Sequence, residues 1–186
     1  MAPRFFLMAP QDLALADVIA CAAAACAAGD CASVTLHENA RREDVAALQD
    51  LGLAVLLSGV EPRVVSHLKA DGLHVTSNEF NLLDLRMSLP KDAMIGLDCG
   101  TSRHAAMEAA EQGADYVGFR QKAQTIGEPL VKWWTQLAQI PAVPLDAVEG
   151  EAAMILSHEA DFIRPADAMW ESPIAATRVI SQIGKN

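Results

Sequence analysis

Short apolar runs of four or five residues alternate with longer runs of helical period along the 186-residue chain, and the alternation occurs eight times. The apolar runs are Arg4–Met8, Ser33–His37, Ala54–Ser58, Gly72–Thr76, Met94–Asp98, Tyr116–Arg120, Ala142–Leu145 and Asp161–Arg164. Each is continuous rather than alternating, the pattern of a strand buried on both faces. Helices are predicted over Asp12–Ala28, Arg42–Asp50, Glu61–Ala70, Asn78–Ser88, Ser102–Gln112, Pro129–Gln139, Glu149–His158 and Ser172–Ile183. Their ends carry suitable chemistry. Thr101 precedes SRHAAMEAAEQG as a cap, Glu108 lies on the body of that helix and Gly113 closes it. Pro62, Pro129 and Pro173 occupy first turns, where a missing N–H costs nothing. Strand then helix, eight times, with no linker, low-complexity tract or charge block, predicts an α/β fold. The expectation is one compact (β/α)8 TIM barrel with short loops over residues 1–186. An open doubly wound sheet would place a glycine-rich turn after its first strand, and here that turn is Met8-Ala9-Pro10-Gln11.

The side chains are 52% hydrophobic and 20% charged, which excludes a disordered chain. A formal charge of −10 leaves no basic surface for nucleic acid or anionic lipid, so an anionic ligand must be held by a few local cations. The length is also short, because eight-unit barrels typically take about 250 residues and begin near about 200. Cys21, Cys26, Cys31 and Cys99 show neither CxxC nor Cys/His ligand spacing, so a zinc site is not expected, and the first three read as reduced, buried thiols rather than a disulfide framework. Gln11, Asp12 and Asp17 interrupt the apolar N-terminal stretch, so a secretory signal is not expected. No run reaches the roughly eighteen apolar residues of a membrane span, and a cytoplasmic protein is expected. Walker A, HExxH and GxSxG sequences are all missing, which removes the usual P-loop NTPases, zincins and serine hydrolases.

Residues 93–119, AMIGLDCGTSRHAAMEAAEQGADYVGF, resemble the fifth and sixth βα units of thiamine-phosphate synthases and TenI-like thiazole tautomerases. There an Ile-Gly-Val strand and a Glu/Ala-rich helix lead into Gly-Ala-Asp-Tyr-Ile-Gly-Phe. A second match is ADGLHV at 70–75, similar to that family's Ala-Asp-Gly-Val-His-Leu, so His74 matches the family. The other units then fall into register over essentially the whole chain. The resemblance implies a TIM barrel of thiamine biosynthesis and a transferase that joins a pyrimidine-methyl diphosphate to thiazole phosphate, releasing diphosphate with the help of magnesium.

Most of the family's reactive positions carry other residues. Its Gln-x-Arg-x-Lys after the second strand is Thr35-Leu36-His37-Glu38-Asn39, and its Asn-Asp after the third is Ser58-Gly59. Its Gly-Gln-x-Asp after the fourth is Thr76-Ser77-Asn78-Glu79, where Glu79 alone keeps a carboxylate. Its Ser-x-His after the fifth is Asp98-Cys99-Gly100. After the sixth, Gly-Pro-x-Phe-x-Thr becomes Arg120-Gln121-Lys122-Ala123-Gln124-Thr125, sharing Thr125. The Gly-Gly-Ile turn after the seventh becomes Asp146-Ala147-Val148. Diphosphate departure needs several cations or a metal to balance its charge. Two functions therefore stand: an enzyme of this family with most catalytic motifs replaced, using magnesium only if synthase activity is retained, or a non-catalytic relative. The latter would bind a small phosphorylated ligand or a protein partner.

Active sites of such barrels lie at the carboxyl ends of the strands. There Arg120, Lys122 and Arg164, with Thr125, form a phosphate or carboxylate site if their side chains converge; otherwise Arg120 and Arg164 pair with Asp98 or Asp146 as structural ion pairs. His37, Asp98 and Cys99 are the candidates for acid/base or nucleophilic work, against the reading of a capped strand end with a packed thiol. His74, alone on an apolar strand, reads as a hydrogen-bonded core or rim residue, and His104 and His158 read as surface residues. Trp133 and Trp134 are adjacent on one helix and cannot share a face: one packs inward, and the other meets either a second copy in a homodimer or a neighbouring helix. The Ala/Cys helix at 18–28 is apolar nearly all round, which fits close packing on the barrel, the expected arrangement, or an oligomer interface.

Overall fold

Each of the eight apolar runs forms a strand, because a run with no polar alternation buries both faces only when helices cover one side and a barrel interior fills the other. A computed structural model describes residues 4–76, 81–120, 129–147 and 160–183. Its elements are β1 Arg4–Met8, α1 Leu15–Ala28, β2 Cys31–Leu36, α2 Arg42–Gln49, β3 Ala54–Leu57 and α3 Pro62–Leu68. They continue with β4 Gly72–Thr76, α4 Leu82–Ser88, β5 Met94–Asp98, α5 Arg103–Glu111, β6 Tyr116–Phe119 and α6 Leu130–Leu137. The last are β7 Ala142–Pro144, β8 Phe162–Ile163, a 3-10 helix Asp167–Glu171 and α7 Pro173–Ile183. The strands run in the order β7-β6-β5-β4-β3-β2-β1-β8 with every ladder parallel, a nearly closed (β/α)8 barrel. At the remaining seam β7 and β8 are neighbours without a ladder among the described residues. There Arg164 Nη1 donates to the Leu145 carbonyl at 2.6 Å, a side-chain stitch where ladder bonds would otherwise run.

Alternation along the strands sorts the core into two layers. Phe6, Leu56, Tyr116, Val143 and Leu145 fill the barrel interior, with Met8, Met94 and Phe162 packed on them. Leu7, Val34, Val55, Leu73, Ile95 and Val117 point the other way and pack under the helices. The small side chains of α1 let it lie close to α7, with Cys21, Ala22 and Ala25 buried.

The two motifs that carry the resemblance brace the amino ends of the strands. Asp71 Oδ2 accepts from Val55 N at 2.7 Å and from Gln49 Nε2 at 3.0 Å. Asp115 Oδ2 repeats the arrangement, accepting from Ile95 N and from Arg86 Nη2, both at 2.7 Å. Arg86 also donates to the carbonyls of Ala93 and Gly113. Each aspartate thus satisfies an N–H at the start of the preceding strand, which fixes register at the end opposite the mouth. Beside Asp71, Gly72 is required by close approach, since a Cβ there would lie 2.0 Å from the Met94 carbonyl oxygen.

Several boundaries differ from expectation. α1 starts at Leu15, because residues 11–13 form a turn after Pro10. β2 begins at Cys31 and ends at Leu36, leaving His37 beyond it, and β8 has only two residues. Ser102, not Thr101, caps α5, its side chain accepting from Ala105 N, and Gly113 follows the helix at φ +89°. Pro129 is the residue before α6 rather than in its first turn. The expected helix over 149–158 lies outside the described residues, as do Lys122, Thr125, Glu79 and His158. Among the described residues no helix is long and apolar enough to cross a membrane.

Candidate functional site

The carboxyl ends of the strands gather the polar residues. Asp98 closes β5, buried, and its two oxygens are both engaged. Oδ1 accepts from Gly100 N at 2.9 Å, and Oδ2 accepts from Arg120 Nε and Nη2, each at 2.8 Å. Arg120 follows β6, and its backbone N–H is held by the Gly100 carbonyl at 2.8 Å, so loop and side chain are positioned together. The guanidinium is about half exposed, and its Nη1 edge faces away from the carboxylate it binds. Of the two arrangements open to Arg120 in the sequence, the structure shows the ion pair with Asp98.

Arg164, just past β8, leans across the seam to Leu145 and binds Asp167 Oδ1 at 2.6 Å rather than Asp146. Among the described residues its Nε is buried without an acceptor, and Asp146 Oδ2 is buried without a donor. Arg120 therefore leans toward β5 and Arg164 toward β7, each with a carboxylate partner already in place.

His37, Asp98 and Cys99 are not joined by any hydrogen bond among the described residues. His37 Nε2 lies 3.0 Å from the Ala9 carbonyl, and since a carbonyl only accepts, Nε2 is the donor. The Cys99 thiol contacts the Leu97 carbonyl at 3.5 Å. Burial, reinforced by the Asp98 charge, pushes that thiol up to about 12 from 9.0, so at neutral pH it is protonated and a weak nucleophile.

Below this rim, three neighbouring strands build one polar unit inside the barrel. His74 on β4 and Tyr116 on β6 both pair with Gly96 on β5, and because Gly96 has no side chain the Tyr116 ring lies over it to reach His74. Tyr116 Oη and His74 Nδ1 are hydrogen-bonded at 2.7 Å, their rings nearly parallel at 11°, and Phe6 packs edge-on against Tyr116. Burial first, then the charges of Asp98 and Asp115, holds the Tyr116 phenol well above its usual range. Sequence reasoning placed His74 correctly as a hydrogen-bonded interior residue but missed its partner. That partner depends on Gly96 standing in register with both His74 and Tyr116, which the sequence alone does not state.

The buried phenol and thiol predict an alkaline weakness. Cys99 and Tyr116 stay neutral in the fold, whereas in the unfolded chain they ionise near their ordinary values of 9.0 and 10.0. Their stabilisation is therefore complete below about pH 9 and is lost as pH rises toward the folded values. Cys99 alone is expected to remove about 2 kcal/mol by about pH 10.5. Urea midpoints at pH 8 and pH 10.5 check this, and equal midpoints would contradict it.

On α6, Trp134 is buried and Trp133 half-buried, with the Arg103 guanidinium of α5 lying 4.6 Å over the Trp133 ring. Of the two placements weighed for the outer tryptophan, a neighbouring helix supplies its cover in the monomer.

With this geometry in view, the chain can be set beside known proteins. It is 33% identical over 118 residues to a thiamine-phosphate synthase of Erythrobacter litoralis, covering 58% of this chain and 55% of that protein. It is 28% identical over 133 residues to the thiamine-phosphate synthase of Rhodospirillum centenum, covering 67% and 64%. The matches thus span less than two thirds of these relatives' own lengths. The fold is similar to that of thiamine phosphate pyrophosphorylase from Pyrococcus furiosus, with a TM-score of 0.78 at 15% identity over 98% of this chain and 94% of that one. At that identity the likeness concerns the fold alone. The family profile described as thiamine monophosphate synthase matches residues 5–163, most of the barrel from β1 to β8, and on that match the chain belongs to the thiamine monophosphate synthase (TMP-TENI) family.

Proposed function

We propose that this chain is a cytoplasmic protein of thiamine biosynthesis that binds a small phosphorylated compound of the thiazole phosphate class at the strand-end mouth. The observation that carries the reading is Arg120, fixed by Asp98 through one edge of its guanidinium while about half of its side chain is exposed. A guanidinium held this way is pre-oriented for a phosphate oxygen, and little side-chain entropy is lost on binding. Arg120→Ala is expected to weaken binding of thiazole phosphate about tenfold, ~1.4 kcal/mol, by calorimetry. An unchanged Kd would remove Arg120 from the site.

The family's magnesium finds few donors here. Both oxygens of Asp98 are taken, and among the described residues no cluster of three or more His, Cys, Asp or Glu side chains is placed to hold a metal. Glu79, the carboxylate at the family's magnesium position, lies outside the described residues.

A second reading, binding without turnover, is favoured by the same pairing: with Arg120 matched by Asp98 and Arg164 by Asp167, these two strand-end cations are already balanced and leave little charge for a departing diphosphate. Incubating the protein with both thiamine precursors and magnesium separates the readings. Thiamine phosphate supports the synthase reaction. Binding of thiazole phosphate without product supports the second reading, and no binding of either precursor removes both.

A further inference from the structure

At the β5–β6 corner of the mouth a closed circuit of hydrogen bonds ties two loops together. Asp98 Oδ1 accepts from Gly100 N at 2.9 Å, the Gly100 carbonyl accepts from Arg120 N at 2.8 Å, and the Arg120 side chain returns to Asp98 Oδ2 at 2.8 Å. Cys99 N donates to the Gly118 carbonyl at 2.9 Å, so the loop after β5 is also pinned to β6. Gly100 makes the circuit possible, because its φ of +55° is a conformation that other residues rarely adopt. The carboxylate is the inner member of the pair and the guanidinium the outer one: the Asp98 side chain is 10% exposed against 48% for Arg120.

A phosphate group that meets the free edge of Arg120 feels two charges. It is drawn to the guanidinium and repelled by the carboxylate on the guanidinium's other side. One phosphate monoester touches the nearer charge, and attraction wins. A second phosphate must find a cation of its own. Arg164, just past β8, is already held by Asp167 at 2.6 Å, Asp146 adds a carboxylate after β7, and the chain as a whole carries a formal charge of −10. We propose that Asp98 determines the charge class of the ligand, so that the mouth takes a phosphate monoester and rejects the corresponding diphosphate. The inference rests on the reading of the mouth as a phosphate site and adds which phosphorylated compounds enter it.

Holding Arg120 in place is a separate role of the same carboxylate, and the two can be told apart. An anchor for the guanidinium affects every phosphate ligand alike. A fixed negative charge acts more strongly on the ligand that carries more charge, so it changes the ratio of two affinities rather than their common level.

Thiazole phosphate and its diphosphate counterpart share a ring and differ by one phosphate, and calorimetry of both in buffer free of divalent metal gives the ratio of their Kd values. The unaltered chain is expected to bind the monophosphate at least about tenfold more tightly, ~1.4 kcal/mol. In Asp98→Asn, which removes the charge and keeps an oxygen for Arg120, that preference is expected to fall to about twofold or less. A second measurement needs no variant. Salt screens the repulsion felt by the outer phosphate more than the close contact of the inner one, so the preference of the unaltered chain is expected to narrow as sodium chloride is raised from about 50 mM to about 500 mM. Equal or tighter binding of the diphosphate by the unaltered chain overturns the proposal and leaves the phosphate site standing. A preference that persists in Asp98→Asn, or that widens with salt, overturns it as well. Binding of neither compound removes the phosphate reading itself, and this inference with it.

Discussion

Gly96→Ala is expected to destabilise the fold strongly. A Cβ at this position would lie 1.8 Å from Tyr116 Cζ and 2.2 Å from its hydroxyl, distances no side chain tolerates. The ring has no free direction, because it is held by the His74 hydrogen bond, by stacking on that imidazole and by the edge of Phe6. Overpacking a core by a methyl group usually costs about 1–3 kcal/mol, and here relief requires breaking a buried hydrogen bond as well, so at least about 3 kcal/mol is expected. That is a large share of the roughly 5–15 kcal/mol of a typical domain. Urea denaturation of soluble material checks the loss, and pairing the change with Tyr116→Leu should recover part of it, because the shorter side chain vacates the space above residue 96. Additive losses in the double variant would show that the contact is not the cause.

Trp134→Ala is the second large effect, expected to cost about 4 kcal/mol. The indole is fully buried, meets Phe119 edge-on at 5.9 Å and donates through Nε1 to the Ile140 carbonyl at 2.9 Å. Removing it opens a cavity between α6 and β6 and leaves that carbonyl without its donor. For a chain of this size the melting temperature is expected to fall by about 10 °C. Trp133→Ala is the control. Its ring is half-buried and its distinctive contact is with Arg103, worth about 0.5–1 kcal/mol, so a loss equal to that of Trp134 would mean the inward and outward faces of α6 are misassigned.

The barrel was legible because burial on both faces leaves an uninterrupted apolar signature in each strand, and β1, β4 and β5 fall at the residues expected from it. Short elements read less well. β8 keeps two residues because the chain turns at once into Pro165 and the 3-10 helix, which no periodicity announced. The mouth was legible only as a set of residue types. Sequence position brings Arg120 and Arg164 to strand ends, but it does not say which way a guanidinium leans, and that depends on Asp98 and Asp167 from other segments. The Asp98 and Arg120 pairing is separated by a full strand–helix unit, so only the three-dimensional register of β5 beside β6 selects it.

The carboxylates of Asp71 and Asp115 sit where the strands begin, and the reacting groups of such barrels sit where the strands finish. Kinship and chemistry are therefore written in different places on this molecule. A lineage can exchange every loop at one rim and still be recognised by the other, since the braces that hold neighbouring strands in step are untouched. The same separation makes this small barrel a scaffold for grafting, in which a new ligand site can be installed on the open rim while the strand starts continue to set the register.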